Sequence, residues 1–116
     1  MSGRLMMMLL SFAAYAQDWP QLLGPDRNLL YKGPWSEKSS FAQVWNKAIG
    51  EGFSAPVVAQ GRVLIFHRQN NREILDSLDP ASGKPQWSFS YATGYRDDFG
   101  FSEGPRATPT DRKSVV

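Results

Sequence analysis

The sequence predicts an all-β fold of short antiparallel strands, and three observations carry that prediction. Beyond residue 40, runs rich in β-forming residues are separated by short turns of Gly, Asn, Asp and Pro. No segment there keeps apolar residues at helical spacing for long enough to prefer a helix. A tryptophan followed by a strand of small residues and proline occurs twice: Trp45 before Ser54-Ala55-Pro56-Val57-Val58, and Trp87 before Arg106-Ala107-Thr108-Pro109-Thr110.

Residues 1–16, MSGRLMMMLLSFAAYA, hold one basic residue, an apolar run and a closing Ala14-Tyr15-Ala16. That is the pattern of a short secretory signal peptide cut before Gln17, so the mature chain is expected to be exported, to the periplasm or outside the cell. The run is shorter than the ~20 apolar residues of a bilayer-spanning helix, so no membrane span is expected. Residues 17–40 carry Pro20, Gly24-Pro25 and Gly33-Pro34 among polar residues and read as an irregular, turn-rich leader.

Residues 41–110 hold the strand signals. Strands are expected at residues 43–49, 55–59, 62–67, 73–78 and 86–91. Gln60-Gly61, Asn70-Asn71 and the stretch from Asp79 to Gly83 supply turns. Residues 111–116, DRKSVV, match the translation of GATCGGAAGAGCGTCGTG, the start of a common sequencing-library adapter. They are therefore set aside as a technical scar, and the natural protein is expected to continue past Thr110.

Without Arg4, Asp111, Arg112 and Lys113, 10 Lys+Arg face 10 Asp+Glu, so the basic balance of the whole chain gives no reason to expect a nucleic-acid partner. The chain has no cysteine, which excludes disulfides, Cys-ligated metals and thiol nucleophiles within it.

Four short antiparallel strands could form one propeller blade or part of a sandwich. Repetition favours the blade. Trp45 and Trp87 stand 42 residues apart, inside the span of about 40–50 residues that one blade occupies. The tryptophan-to-proline distances, 11 and 22 residues, place an insertion of 11 between Ala92 and Gly104. The fold expected is thus a piece of a β-propeller with four-stranded antiparallel blades, about one and a half of them, whose neighbouring blades are missing.

In Ser77-Leu78-Asp79-Pro80-Ala81-Ser82-Gly83-Lys84-Pro85-Gln86-Trp87, Asp79 can accept from the backbone ahead of it. Pro80 fixes its own φ, Gly83 accepts the positive φ that closes the turn, and Lys84 adds a solvated charge. Trp87 then returns as a core aromatic needing one partner for its N–H. This spacing resembles the tryptophan-docking motif A-x-D-x-x-T-G-K-x-x-W of the pyrroloquinoline-quinone-type (PQQ-like) β-propeller repeat family, with Ser77 and Ser82 as mild departures. Asp18-Trp19-Pro20-Gln21 with Gly24-Pro25 is similar to the leader of its secreted members. Gly50-Glu51-Gly52-Phe53-Ser54-Ala55-Pro56-Val57-Val58 with Gly61-Arg62-Val63 is similar to its first blade. Leu23 and Asn28-Leu29-Leu30 depart from the leader pattern. The resemblance implies that Asp79, Gly83, Lys84, Trp87 and Trp45 are structural and that the tryptophans staple neighbouring blades.

Other constellations carry less. Gly50-x-Gly52-x-x-Ala55 mimics a dinucleotide fingerprint, but Pro56 and a valine pair follow where a helix should run. His67, the only histidine, is expected at a solvated strand end. No G-x-S-x-G offers a serine nucleophile. The inserted loop, with Tyr95, Arg96, Asp97, Asp98 and Phe99, reads as a solvated loop whose aromatics pack locally. It is also the first candidate for a binding surface, since adjacent carboxylates can take calcium or a ligand.

Two functions follow from the resemblance. The first is an exported, non-catalytic binding or scaffold module for a protein or glycan, without activity or cofactor in this fragment. The alternative is the beginning of a quinone-dependent alcohol or sugar dehydrogenase, whose pyrroloquinoline quinone and calcium would be held by residues beyond this chain.

Overall fold

A computed structural model describes residues 17–38, 40–112 and 116 of the chain. The expected signal peptide, residues 1–16, lies outside the described residues, as do residues 113–115 of the segment set aside as a scar.

The described residues form one four-stranded antiparallel sheet and no helix: β1 (Val57–Ala59), β2 (Arg62–Gln69), β3 (Arg72–Leu78) and β4 (Pro85–Ala92). Strand order in space equals order in sequence, so the sheet is a simple meander. The turns explain this. Gln60 and Gly61 have φ of 51° and 72°, and Asn70 and Asn71 have 53° and 56°. Two consecutive positive φ values are the signature of the two-residue hairpin loop whose twist matches that of the flanking strands. The β3–β4 connection is longer, and the register shifts by a bulge at Ser77/Leu78.

Pairing assigns side chains to two faces, because directly opposite residues point the same way. Leu64 lies opposite Val57 and Ser77, which lies opposite Trp87; Phe66 lies opposite Leu75, which lies opposite Phe89. The other face carries Val63 with Leu78 and His67 with Ile74. Val57, Ala59, Val63, Leu64 and Leu78 are buried, whereas seven of the eight β4 residues are exposed. The packed core therefore sits at the β1–β2 end.

Two flanking segments cover that end. Trp19 pairs with Val58 through two backbone hydrogen bonds, closing the outer edge of β1, and Glu51 pairs in the same way with Arg68. From the far end of the chain, Pro105 O accepts from Phe53 N–H, and Ala55 N–H reaches Thr108 Oγ1 at 3.1 Å. Asp111, the first residue of the segment set aside, takes part in this packing. Its side chain is fully buried, accepts two guanidinium hydrogen bonds from Arg62 at 2.8 and 3.0 Å and one from Gln60 at 2.9 Å, and its N–H donates to Pro20 O.

Two expectations need correction. Residues 43–49 form no strand, because Trp19 and Glu51 already occupy the edge on that side of the sheet. Trp87 is no core aromatic: it is 38% exposed on β4. In the leader, Leu23, Arg27 and Leu29 adopt positive φ, a conformation that costs any residue with a Cβ. Leu23 and Leu29 are among the residues that depart from the leader pattern.

Candidate functional site

Two arrangements organise the polar residues singled out in the sequence. The first is a seat built on the β3–β4 turn. Asp79 Oδ1 accepts from Ala81 N–H at 3.0 Å and Oδ2 accepts from the Ser82 hydroxyl at 2.9 Å. The Asp79 carbonyl accepts from Gly83 N–H at 2.7 Å, and its own N–H donates to Lys84 O at 2.8 Å. The Ala81 N–H foremost, then the Ser82 hydroxyl and the Lys84 charge, hold the Asp79 carboxyl below its ordinary range.

Trp45 lies on this turn. Its indole N–H donates to Pro80 O at 2.7 Å, across 35 residues of chain. A Cβ added to Gly83, whose φ is +71°, would stand 2.7 Å from Trp45 Cδ2. Glycine is thus required twice at this position, for the backbone conformation and for the close approach of the ring. The structure brings Trp45, Asp79 and Gly83 together and leaves Lys84 exposed. Trp87 stands apart on β4, with the Arg62 guanidinium 6.0 Å from its ring centre.

The second arrangement is the inserted loop, residues 93–106. Arg68, 5% exposed, clamps it to the sheet through hydrogen bonds to Tyr95 O at 2.8 Å, Glu103 O at 3.0 Å and Asn71 Oδ1 at 3.1 Å. In the sequence Arg68 stands among the polar residues that end β2, between His67 and Gln69, and no local signal marks it as a clamp. Asp97 organises the interior of the loop. Its carboxylate accepts from the N–H groups of Phe99 at 3.1 Å, Phe101 at 2.8 Å and Ser102 at 3.1 Å, and pairs with Arg106 at 3.4 Å. The Ser102 N–H contributes most to a depressed Asp97 pKa, followed by Phe99, Phe101 and the charge of Arg106. Arg96 pairs with Glu103 at 2.6 Å.

These contacts change the reading of the loop. Asp97 is engaged by its own backbone and does not stand beside Asp98 as a free pair of cation ligands. The aromatics do not all pack locally either, since Phe99 and Phe101 are 84% and 81% exposed. Tyr95 does find a partner, the Arg106 guanidinium, 5.6 Å from its ring centre.

His67 is buried, at 4% exposure, and not at a solvated strand end. Its Nδ1 accepts from Gly50 N–H at 3.0 Å and its Nε2 lies 2.7 Å from Asp76 Oδ2. With Nδ1 accepting from Gly50, Nε2 is the ring nitrogen that faces Asp76. The Gly50-x-Gly52 stretch is committed to the same contact: Gly50 N–H serves His67, and a Cβ at Gly50 would collide with the Arg68 carbonyl. No phosphate cradle is formed there.

These arrangements hold segments together. Among the described residues, no group of three or more His, Cys, Asp or Glu side chains is placed to hold a metal ion, and no helix is long and apolar enough to cross a membrane. No protein-family model, curated protein or solved structure matches the chain.

Proposed function

We propose that this chain is the beginning of an exported PQQ-like β-propeller repeat protein that works as a non-catalytic binding or scaffold module. The observation that carries the reading is the seating of Trp45 on the turn from Asp79 to Gly83. Trp45 precedes Trp87 by 42 residues, so a tryptophan from one repeat position is fastened to the turn that opens the next. Trp87 occupies the equivalent position one repeat later and, on this reading, waits for a turn of the same kind further along the gene.

The exposed apolar residues support the same reading. Val44 and Ile49 in the unpaired stretch before β1, and Phe89 and Tyr91 on β4, are 43–75% exposed. Repeat units leave such faces open for their neighbours to cover. The rigid loop with its projecting Phe99 and Phe101 is the surface such a module offers to a protein or glycan ligand. Nothing about the residues in hand favours the dehydrogenase.

The test is to read the gene through the codons for Thr110 and Asp111. The frame is expected to continue with further Gly-Lys-x-x-Trp units about every 42 residues. A gene that stops after Val116 removes the propeller reading. With the longer protein in hand, failure to reduce a dye over a panel of alcohols and sugars after addition of quinone and calcium is expected for a scaffold. Turnover reverses the choice.

A further inference from the structure

The two edges of the sheet differ. The outer edge of β1 is closed by Trp19 through paired hydrogen bonds with Val58, but among the described residues nothing pairs with the outer edge of β4. The hydrogen-bonding phase of β4 follows from its neighbours. Thr93 N–H donates to Asn71 O, so Thr93, and with it Tyr91, Phe89 and Trp87, turn their peptide groups towards β3. The Glu51–Arg68 bridge agrees, because it puts the peptide groups of Arg68 on the side away from β3 and those of its opposite residue Glu73 towards β4. Ser88, Ser90 and Ala92 therefore point their N–H and C=O groups outwards, unpaired within the sheet.

Exposed edges are ordinarily protected by charged residues, prolines or bulges along their length. β4, PQWSFSYA, has no charged residue, and its one proline and its bulge are confined to its first turn end. Among the described residues Arg72 reaches this edge, donating to Ser90 Oγ at 3.1 Å and Ser90 O at 3.2 Å. That carbonyl retains a second lone pair for another donor. The strand is also self-complementary, with Trp87, Phe89 and Tyr91 on one face and serines on the other.

We propose that β4 is a self-association edge, through which two copies of this chain pair antiparallel about a two-fold axis passing between their Phe89 residues. In that register Ser88 faces Ser90 of the second copy and exchanges backbone hydrogen bonds with it. Trp87 faces Tyr91 and Phe89 faces Phe89, so the exposed aromatics form a ladder across the joint. The pairing uses an edge and not a face, so it does not depend on the repeat reading.

The absence of native cysteine gives a position-specific test. Phe89 falls at a non-hydrogen-bonded pair across the axis, where Cα atoms stand about 4.5 Å apart, inside the range of about 4.4–6.8 Å that a disulfide spans. F89C is expected to oxidise to a covalent dimer about tenfold faster than W87C or Y91C, whose cysteines face aromatic residues. Adding Ser88→Pro removes only an outward N–H, which an edge strand tolerates, and should slow F89C to the rate of the other two. Equal coupling at all three positions would mean random collision and overturn the proposal. Sedimentation of the unsubstituted chain provides an independent check. A concentration-dependent dimer that Ser88→Pro dissociates is expected, and a monomer throughout the micromolar range overturns the pairing while leaving the repeat reading standing.

Discussion

The indole N–H of Trp45 and the carbonyl of Pro80 meet at 2.7 Å over the face of Gly83, and this is the contact that ties the stretch before β1 to the far side of the sheet. Because the β3–β4 turn is built independently by Asp79, it presents a preformed acceptor and a bare glycine to the incoming ring. Trp45→Phe keeps the ring and removes the donor, and is expected to cost about 1 kcal/mol. Gly83→Ala should cost more, about 1–2 kcal/mol for the left-handed backbone alone, with ring displacement added. Thermal denaturation of both single variants and the double variant checks the contact: the double should fall short of additive, since either change already unseats the ring.

Asp97 is expected to hold its loop closed well into acid. Its pKa is lowered in the folded chain from an ordinary 3.8, so its contribution is fully present above that value and is lost only as pH falls through the lower folded pKa. Limited proteolysis near Phe99 and Phe101 should stay slow at neutral pH and down to about pH 4. Asp97→Asn should be cut readily at all pH values, and equal cutting of both proteins would show that the carboxylate does not organise the loop.

His67 contributes through burial. His67→Leu leaves Gly50 N–H without its acceptor and Asp76 without its donor, an expected loss of about 1–3 kcal/mol. The paired change His67→Leu with Asp76→Leu should recover part of it, because an unpaired carboxylate beside the sheet is removed. Denaturant unfolding of the three variants measures this directly, and a double variant no better than the single one refutes the pairing.

Tyr91 hydrogen-bonds the Glu73 carboxylate, and that bond, with some burial and the like charge, raises the phenol above its ordinary 10.0. A raised folded pKa stabilises the chain at all pH values below the unfolded one and is lost only as pH climbs through the folded one. In a spectrophotometric titration Tyr91 should ionise above its ordinary value, and Glu73→Gln should bring it back down.

The strands and two-residue turns were legible because they are written locally. Gln60-Gly61 and Asn70-Asn71 are turn residues flanked by β-formers, and β2 and β3 begin and end within one or two residues of expectation. Residues 43–49 carry the same kind of composition, yet their state depends on whether a sheet edge is free, and Trp19, some 25 positions away, decides that. The same limit explains the site. Asp79 and Gly83 could be assigned from a turn formula, and Trp45 from its spacing. The burial of His67 could not be read from one sequence, because Gly50 and Asp76 approach it only once the sheet has formed. In the sequence Asp97 stands out for its neighbour Asp98, whereas its actual partners are backbone N–H groups, to which composition is blind.

The positive-φ pairs at residues 60–61 and 70–71 also set an order of events in folding. They let β1, β2 and β3 meet by closing loops of two residues, steps on the microsecond scale of a hairpin, with little chain entropy lost before contacts are gained. The Trp45 contact instead closes 35 residues, and the Ala55–Thr108 contact closes 53. The meander should therefore be in place first, with its two flanking segments folding onto it afterwards. During synthesis the sheet is complete once Ala92 has emerged, while the cover over its β1–β2 end must wait for Thr108.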